Sequence, residues 1–306
     1  VNDRACLHID NCYYIPNLKL ISHRCKTHTQ SGTAFRGFGG PQGMFGIETV
    51  IAEIADTLGL DELDVRKRNL YRDPAQSGDP QSMTTQYGQT IEDWVGDQVM
   101  AEVEKNANYA ERRAAVNAFN AQHKARKRGL ALVPLKFGIS FTATHLNQGG
   151  ALLVIYMDGS VSVNHGGTEM GQGLNTKMAQ VCADGLGISV DKVRVTATDS
   201  QKVPNASATS ASSGADINGA AIMNATAQMR ERLKPVAARM LGCQPEDVSF
   251  ANNQAHGAGK SVEWAALTKQ AWLDRVGLSV TGFYMTPEIK YDFATLQGRA
   301  FYYYCY

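Results

Sequence analysis

From Gln42 to Leu58 the apolar residues fall at Ile47, Val50, Ile51, Ile54 and Leu58. That is the spacing of one helix face, with Glu48, Glu53 and Asp56 mostly on the other side. Pro41 suits the first turn. A second helix is expected after Thr90, where Thr90-x-x-Asp93 resembles a capping box ahead of Trp94, Val95, Val99 and Val103. The helix after that should end near the basic run Lys124 to Arg128, whose cations complement a helix C-terminus. Beyond Gly129 the pattern shortens to strand length. Leu130 to Pro134 is apolar, and Ala151 to Met157 and Ser160 to His165 flank Asp158-Gly159, a hairpin-turn signal. Val193 to Thr198 reads as a further strand, and helices return after Gly173 and after Ile217. Pro74 to Gly88 and Asn252 to Gly259 read as surface loops, and neither marks a domain boundary. Hairpins mixed with helices predict an α+β fold, with mixed or antiparallel sheets packed by helices and approximate sub-lobes at 1–128 and 129–306.

Composition narrows the class. The 306 residues carry 30 Lys+Arg against 29 Asp+Glu, a net charge of +1 that gives no global field to draw nucleic acid or an anionic membrane. The longest apolar run, Gly149 to Met157, is too short to cross a bilayer. The first residues show no basic region followed by an apolar stretch, and with no initiator Met the chain reads as an internal segment of a longer polypeptide. Cys6, Cys12, Cys25, Cys182, Cys243 and Cys305 form no C-x-x-C pair, so they are expected to be reduced, in keeping with the cytoplasm.

The candidate chemistry lies in three loops rich in Gly, Ser, Thr and Ala that run into helices: Thr33 to Gln42, Gly166 to Lys177 and Asn205 to Asp216. A helix start leaves N–H groups unpaired and carries positive partial charge, and glycine lets that backbone approach a ligand. Three such loops predict a large polar anionic ligand held mainly by main chain. No Walker A motif, complete dinucleotide fingerprint, G-x-S-x-G elbow or H-E-x-x-H is present. Phe38, inside a Gly-rich loop, is placed to face a flat ligand, whereas Phe137 and Phe141 have the spacing of a core pair.

These residues carry a resemblance. Thr33-Ala-Phe-Arg-Gly-Phe-Gly-Gly-Pro-Gln, Lys136-Phe-Gly-Ile-Ser-Phe-Thr, the run from Asp158 through His165 to Lys177, Thr281-Gly-Phe-Tyr-x-Thr-Pro287 and Asp3-Arg4-Ala5 look like the two-lobed molybdenum-cofactor domain of the xanthine dehydrogenase family, with aldehyde oxidases as wider relatives. The resemblance runs from Arg4 to about Tyr304 and is poorest over Leu241 to Ser261, which reads as an insertion or variable loop.

The resemblance implies a molybdenum hydroxylase that converts hypoxanthine and xanthine to urate in the cytoplasm. The metal is held by a pyranopterin, as molybdopterin or its dinucleotide, with no side-chain ligand. Electrons pass through Fe–S clusters and FAD to NAD, all carried by other domains or subunits, in an oligomeric enzyme. It implies that Arg4 orients the purine and stabilises charge on its oxygen, that Phe38 and Phe141 sandwich the heterocycle, and that Thr142 hydrogen-bonds it. Arg36 and Ala211 would bring main chain to the molybdenum. Gly37, Met170, Gln172, Thr209, Ser210 and Ser212 would line the cofactor.

The family's catalytic glutamate, in a Gly-Glu-Pro-Pro context, has no counterpart in this sequence, so the segment alone is expected to be inactive. An aldehyde oxidase or another N-heterocycle hydroxylase, a non-catalytic phosphate- or nucleotide-binding module, and a structural segment without a site stand as alternatives.

Overall fold

A computed structural model describes residues 1–32, 35–199, 201 and 206–306. Its helices are α1 (Asn2–Cys6), α2 (Gly40–Leu58), α3 (Glu62–Asn69), α4 (Pro74–Ser77), α5 (Gly96–Asn106), α6 (Tyr109–Gln122), α7 (Leu174–Leu186), α8 (Gly214–Leu241) and α9 (Trp264–Leu273). Its strands are β1 (Phe137–Ile139), β2 (Gln148–Ile155), β3 (Val161–His165), β4 (Val193–Val195), β5 (Ser249–Ala251), β6 (Gln254–Gly257), β7 (Lys260–Glu263), β8 (Ser279–Met285), β9 (Lys290–Asp292), β10 (Gln297–Arg299) and β11 (Tyr303–Cys305). The fold is α+β with small mixed and antiparallel sheets, as the pattern predicts.

The chain forms two compact units, Val1–Thr142 with Glu288–Tyr306, and Ala143–Pro287. The expected division at 128/129 moves because residues beyond it belong to the first unit. Leu132 is buried among Ile47, Ile51, Leu63 and Tyr109, and β1 pairs antiparallel with β11.

In the first unit α2 is the central helix. Pro41 lies in its first turn, and Gly59 ends it in the left-handed conformation that glycine tolerates. Its Ile47, Ile51 and Ala55 are buried, while Val50, Ile54 and Leu58 of the same predicted stripe are exposed. The capping box at Thr90 does not form. Thr90 instead bridges Thr84, and Trp94 packs edge-on against Tyr71 and Tyr306, which keeps 90–95 outside the helix. The stretch Leu130 to Pro134 is not a strand: among the described residues it joins no ladder.

Helix α6 ends at Gln122, before the basic run. There Lys127 Nζ donates to Asn120 O, and the Arg128 guanidinium lies 3.9 Å over the Phe119 ring. Two of the run's cations are thus engaged with the end of their own helix. Pro74 to Gly88 is a loop except for the single turn of α4.

In the second unit β2 pairs antiparallel with β3 and with β8, and β4 joins β3 in parallel, giving the order β4-β3-β2-β8. The hairpin turns at Asp158-Gly159, where the Asp158 carboxylate accepts from Ser160 N at 2.9 Å. Helices α7 and α8 contribute Leu174, Met178, Ile222, Met229 and Leu233 to one core with Leu153 and Val163 of the sheet. Each such fully buried aliphatic side chain stabilises by about 1.5–3 kcal/mol. The strand expected at Val193 to Thr198 stops at Val195, and the helix expected after Ile217 begins at Gly214. The expected loop at Asn252 to Gly259 is instead part of a three-stranded meander, β5-β6-β7, around the buried Ala255. The stretch Leu241 to Ser261, expected to be a loop, therefore carries regular secondary structure. Among the described residues no helix is long and apolar enough to cross a membrane, and all six cysteines are free.

Candidate active site

In the first unit the site grows from α1 and β1. Arg4 reaches across 134 residues of sequence: Nη1 donates to Ser140 O at 2.8 Å and Nη2 to Gly138 O. Its guanidinium lies 5.1 Å from the centre of the Phe137 ring and 4.8 Å from that of Phe301. Among the described residues no carboxylate pairs with it. Burial lowers its pKa to about 10, so it stays charged at neutral pH. Taking a cation even partly out of water without a counter-ion is costly, and at this half-buried position carbonyls and ring faces offset that cost.

The segment after α1 is anchored by buried polar side chains. Lys136 Nζ meets Asp10 Oδ2 at 2.7 Å, Tyr71 OH donates to the same oxygen at 2.7 Å, and Asn11 Nδ2 donates to Pro134 O at 2.9 Å. His8 is buried between the same rings as Arg4. Its Nδ1 pairs with Arg4 O at 2.9 Å, and its Nε2 accepts from Gly138 N at 3.0 Å.

The first Gly-rich loop enters α2 beside this cluster. Its opening residues, Thr33 and Ala34, lie outside the described residues. Phe38 has φ 50°, and its side chain is 43% exposed. Phe38 N donates to Phe35 O at 2.8 Å, closing a turn that holds Arg36 and Gly37, with Arg36 exposed. Two of the glycines serve packing rather than anion binding. A Cβ on Gly39 would stand 2.0 Å from Val1 O, and one on Gly43 would stand 2.3 Å from Ala5 O. Helix α1, which carries Arg4, lies directly on this bare face of α2. Phe141 and Thr142 follow Ser140 immediately in the chain and are half-buried. Phe137 and Phe141 are both half-buried rather than core, and Phe137 lies beneath the Arg4 guanidinium.

In the second unit the other two loops meet. Thr168 N donates to Thr209 Oγ1 at 2.8 Å, and Gly167 O accepts from Thr198 Oγ1 at 2.8 Å. The loop 166–173 is rooted on buried His165, whose Nδ1 accepts from Gly167 N at 3.0 Å. The expectation of an open anion site at this loop is corrected. Glu169 Oε1 accepts from Gly171 N (2.8 Å) and Gly173 N (3.1 Å), and Oε2 accepts from Asn175 N (3.0 Å). The N–H groups of Asn175, Gly173 and Gly171 hold the Glu169 carboxyl below its usual range. The loop's positive pole is thus filled by a carboxylate of its own. Gln172 braces the same loop, accepting from Met170 N at 2.5 Å and donating to Thr168 O at 2.8 Å. Met170 is 65% exposed.

The third loop, whose Asn205 lies outside the described residues, is different in kind. Ala211 (φ 55°) and Ser212 (φ 59°) sit in the left-handed region that such residues rarely adopt, just before the 28-residue helix α8. Thr209, Ser213, Gly214 and Asn218 line a cavity of about 10 Å³, room for one water. Asn218 Oδ1, buried there, has no partner among the described residues. Hydroxyls of Thr209, Ser210 and Ser212, strained main chain and a long helix start form a donor set that fits an oxygen-rich anionic cofactor. Among the described residues no three His, Cys, Asp or Glu side chains gather into a metal-holding group.

Sequence reasoning missed His8, Gly138, Ser140 and Glu169. His8 is one helical turn from Arg4, and Glu169 stands two and four residues before two glycines of its loop, so each left a local signal.

Two family profiles, both described as molybdopterin cofactor-binding domain, match residues 102–306 and 1–70. The chain is 43% identical over 292 residues to a xanthine dehydrogenase of Calliphora vicina, covering 95% of this chain and 20% of the relative. It is 45% identical over 294 residues to nicotinate hydroxylase hnxS of Emericella nidulans, with the same coverage, and 42% identical over all 306 residues to xanthine dehydrogenase/oxidase of Gallus gallus, covering 20% of that protein. The chain therefore spans about a fifth of the length of these relatives. Among solved structures it is similar to quinoline 2-oxidoreductase from Pseudomonas putida 86, with a TM-score of 0.74 and 24% identity over 93% of this chain and 38% of that one. It is also similar to aldehyde oxidoreductase from Desulfovibrio gigas, with a TM-score of 0.70 and 22% identity over 99% and 30%.

Proposed function

Since this chain belongs to the molybdopterin cofactor-binding domain family, we propose that it is the substrate-facing part of a molybdenum hydroxylase acting on a nitrogen heterocycle, foremost hypoxanthine and xanthine. The observation that carries this reading is Arg4: a half-buried guanidinium with no carboxylate partner among the described residues, fixed by the carbonyls of Gly138 and Ser140. Two of its five N–H donors are engaged there, and the others remain to meet charge on a substrate oxygen.

When bound, the molybdenum–pterin group supplies the oxidising chemistry at an electron-poor ring carbon. The chain's own residues bind and orient. Thr209, Ser210, Ser212 and the main chain of Ala211 offer donors to the cofactor's anionic edge, and Gln172 and Met170 present the braced second loop. Main chain at Arg36 and Gly37 is the first loop's share. Phe38 and Phe141 present ring faces for a flat heterocycle, and Thr142 a hydroxyl. Arg4 opposes the negative charge that develops on the exocyclic oxygen of the purine, an interaction stronger in the transition state than in the ground state. Fe–S clusters and FAD, carried by other parts of an oligomeric cytoplasmic enzyme, would take the electrons on to NAD.

A second reading is favoured by the same cation. A pyridine carboxylate would also satisfy Arg4, and one similar protein is a nicotinate hydroxylase.

The test uses the intact enzyme. Xanthine-dependent NAD reduction with urate formed supports the purine reading, and turnover of nicotinate alone supports the second. Arg4→Met should lower heterocycle turnover by about 10²–10³-fold, the usual cost of losing a charge-stabilising donor, with much less effect on an aldehyde. Equal loss on both substrates would refute the role given to Arg4.

A further inference from the structure

We propose that His8 is a positioning residue for Arg4, tying the main chain of the arginine to the strand on which its guanidinium rests. The inference rests on the role given to Arg4 above. The contacts close a ring: His8 Nδ1 to Arg4 O (2.9 Å), His8 Nε2 to Gly138 N (3.0 Å), and Gly138 O back to Arg4 Nη2. Ser140 O, two residues on, takes Nη1 at 2.8 Å. The imidazole is itself held by the rings that flank the guanidinium, at 4.7 Å from Phe137 and 5.1 Å from Phe301.

The chemistry of the ring fixes the state of His8. Gly138 N is a donor, so Nε2 must accept, and Arg4 O is an acceptor, so Nδ1 must carry the hydrogen. Only the neutral imidazole in that tautomer satisfies both. A protonated ring would set two donors face to face at Gly138. Burial and the nearby positive charges of Arg4 and Lys136 favour the neutral form, bringing the pKa down to about 3. The Asp10 carboxylate, which could have drawn a proton to this cluster, is engaged by Lys136 and Tyr71.

Without His8, α1 keeps its packing on α2 but loses the imidazole link from Arg4 O to Gly138 N, and the guanidinium loses the register that places it. A misplacement of about 1 Å at a charge-stabilising group costs roughly 10²-fold in rate.

The experiment compares His8→Phe, His8→Gln, Arg4→Met and the double variant Arg4→Met/His8→Phe in the intact enzyme. It measures molybdenum content and kcat/KM for the heterocycle turned over and for an aldehyde. His8→Phe keeps the ring between its neighbours and removes both hydrogen bonds. It should lower heterocycle kcat/KM by about 10–100-fold while the aldehyde changes by less than about threefold. The double variant should be no worse than Arg4→Met, because the two residues act as one unit. His8→Gln, which keeps one donor and one acceptor, should recover most of the loss, and it decides the matter even if His8→Phe fails to assemble.

Multiplying losses in the double variant overturn the proposal. So do equal losses on both substrates, or a His8→Gln enzyme as impaired as Arg4→Met. An Arg4→Met enzyme with full heterocycle turnover overturns the reading of Arg4 and this inference with it. An impaired Arg4→Met beside a fully active His8→Phe overturns this inference alone.

Discussion

Gly43 offers a way to move Arg4 without touching it. In Gly43→Ala the new Cβ would lie 2.3 Å from Ala5 O, 3.1 Å from Ala5 C and 3.2 Å from Ile9 N. An ordinary contact needs about 3.4 Å, so α1 must retreat by about 1 Å. Stability should change little. Alanine favours a helix interior over glycine by about 1 kcal/mol, and overpacking costs about 1–3 kcal/mol, leaving a net loss of roughly 0–2 kcal/mol.

Function should change more, because the retreat is transmitted to a residue one position from Ala5. Heterocycle kcat/KM should fall by about 10–100-fold while molybdenum content holds. Gly46→Ala is the control. It lies on the same helix, and its Cβ would meet nothing closer than Ile9 Cδ1 at 3.8 Å. That variant should gain about 0.5–1 kcal/mol and keep its turnover. Steady-state kinetics and a thermal-unfolding scan on both proteins test the pair. A Gly43→Ala enzyme with wild-type heterocycle turnover would refute the argument that the bare face of α2 sets the position of Arg4.

Two further variants probe the scaffold. Lys136→Met strands the buried Asp10 carboxylate and should cost about 3–5 kcal/mol, read as a lower Tm; a double change of Lys136 and Asp10 to apolar residues should recover much of it. Glu169→Gln should loosen the loop 166–173 and speed loss of molybdenum on dialysis. Because the folded carboxyl lies below its usual 4.5, the stabilisation from Glu169 is complete above that pH and fades as pH falls through the folded value. Cofactor retention unchanged in Glu169→Gln at pH 7 would count against the brace.

The parts of the fold legible in the sequence were those set by neighbours in the chain. Helix α2 follows from the Ile47, Ile51 stripe and Pro41, the β2–β3 hairpin from Asp158-Gly159, and the start of α7 from Gly173 in the left-handed conformation. What failed depended on distant partners. Thr90-x-x-Asp93 had the letters of a cap, but Trp94 is claimed by Tyr71 and Tyr306. Leu130 to Pro134 had strand-like hydrophobicity, yet Leu132 is consumed by the helical core and among the described residues no strand pairs with it. The division into units depends on β1 pairing with β11, more than 160 residues away.

Arg4 and the three loops could be named as candidates from the sequence, but not what holds them. The ring through His8 and Gly138 spans 130 residues. The second loop misled because glycines before a helix promise unpaired donors, and the acid that takes them, Glu169, lies within the motif itself.

That carboxylate bears on the order of assembly. A loop whose donors wait for a cofactor phosphate would stay loose until the cofactor arrived, and any stray phosphate could take the place. A loop that carries its own anion is set when the chain folds, at a local concentration no free ion matches. On the proposed reading, recognition of the cofactor would fall mainly to the third loop at Ala211 and Ser212, and loading would be a late step onto a frame already formed.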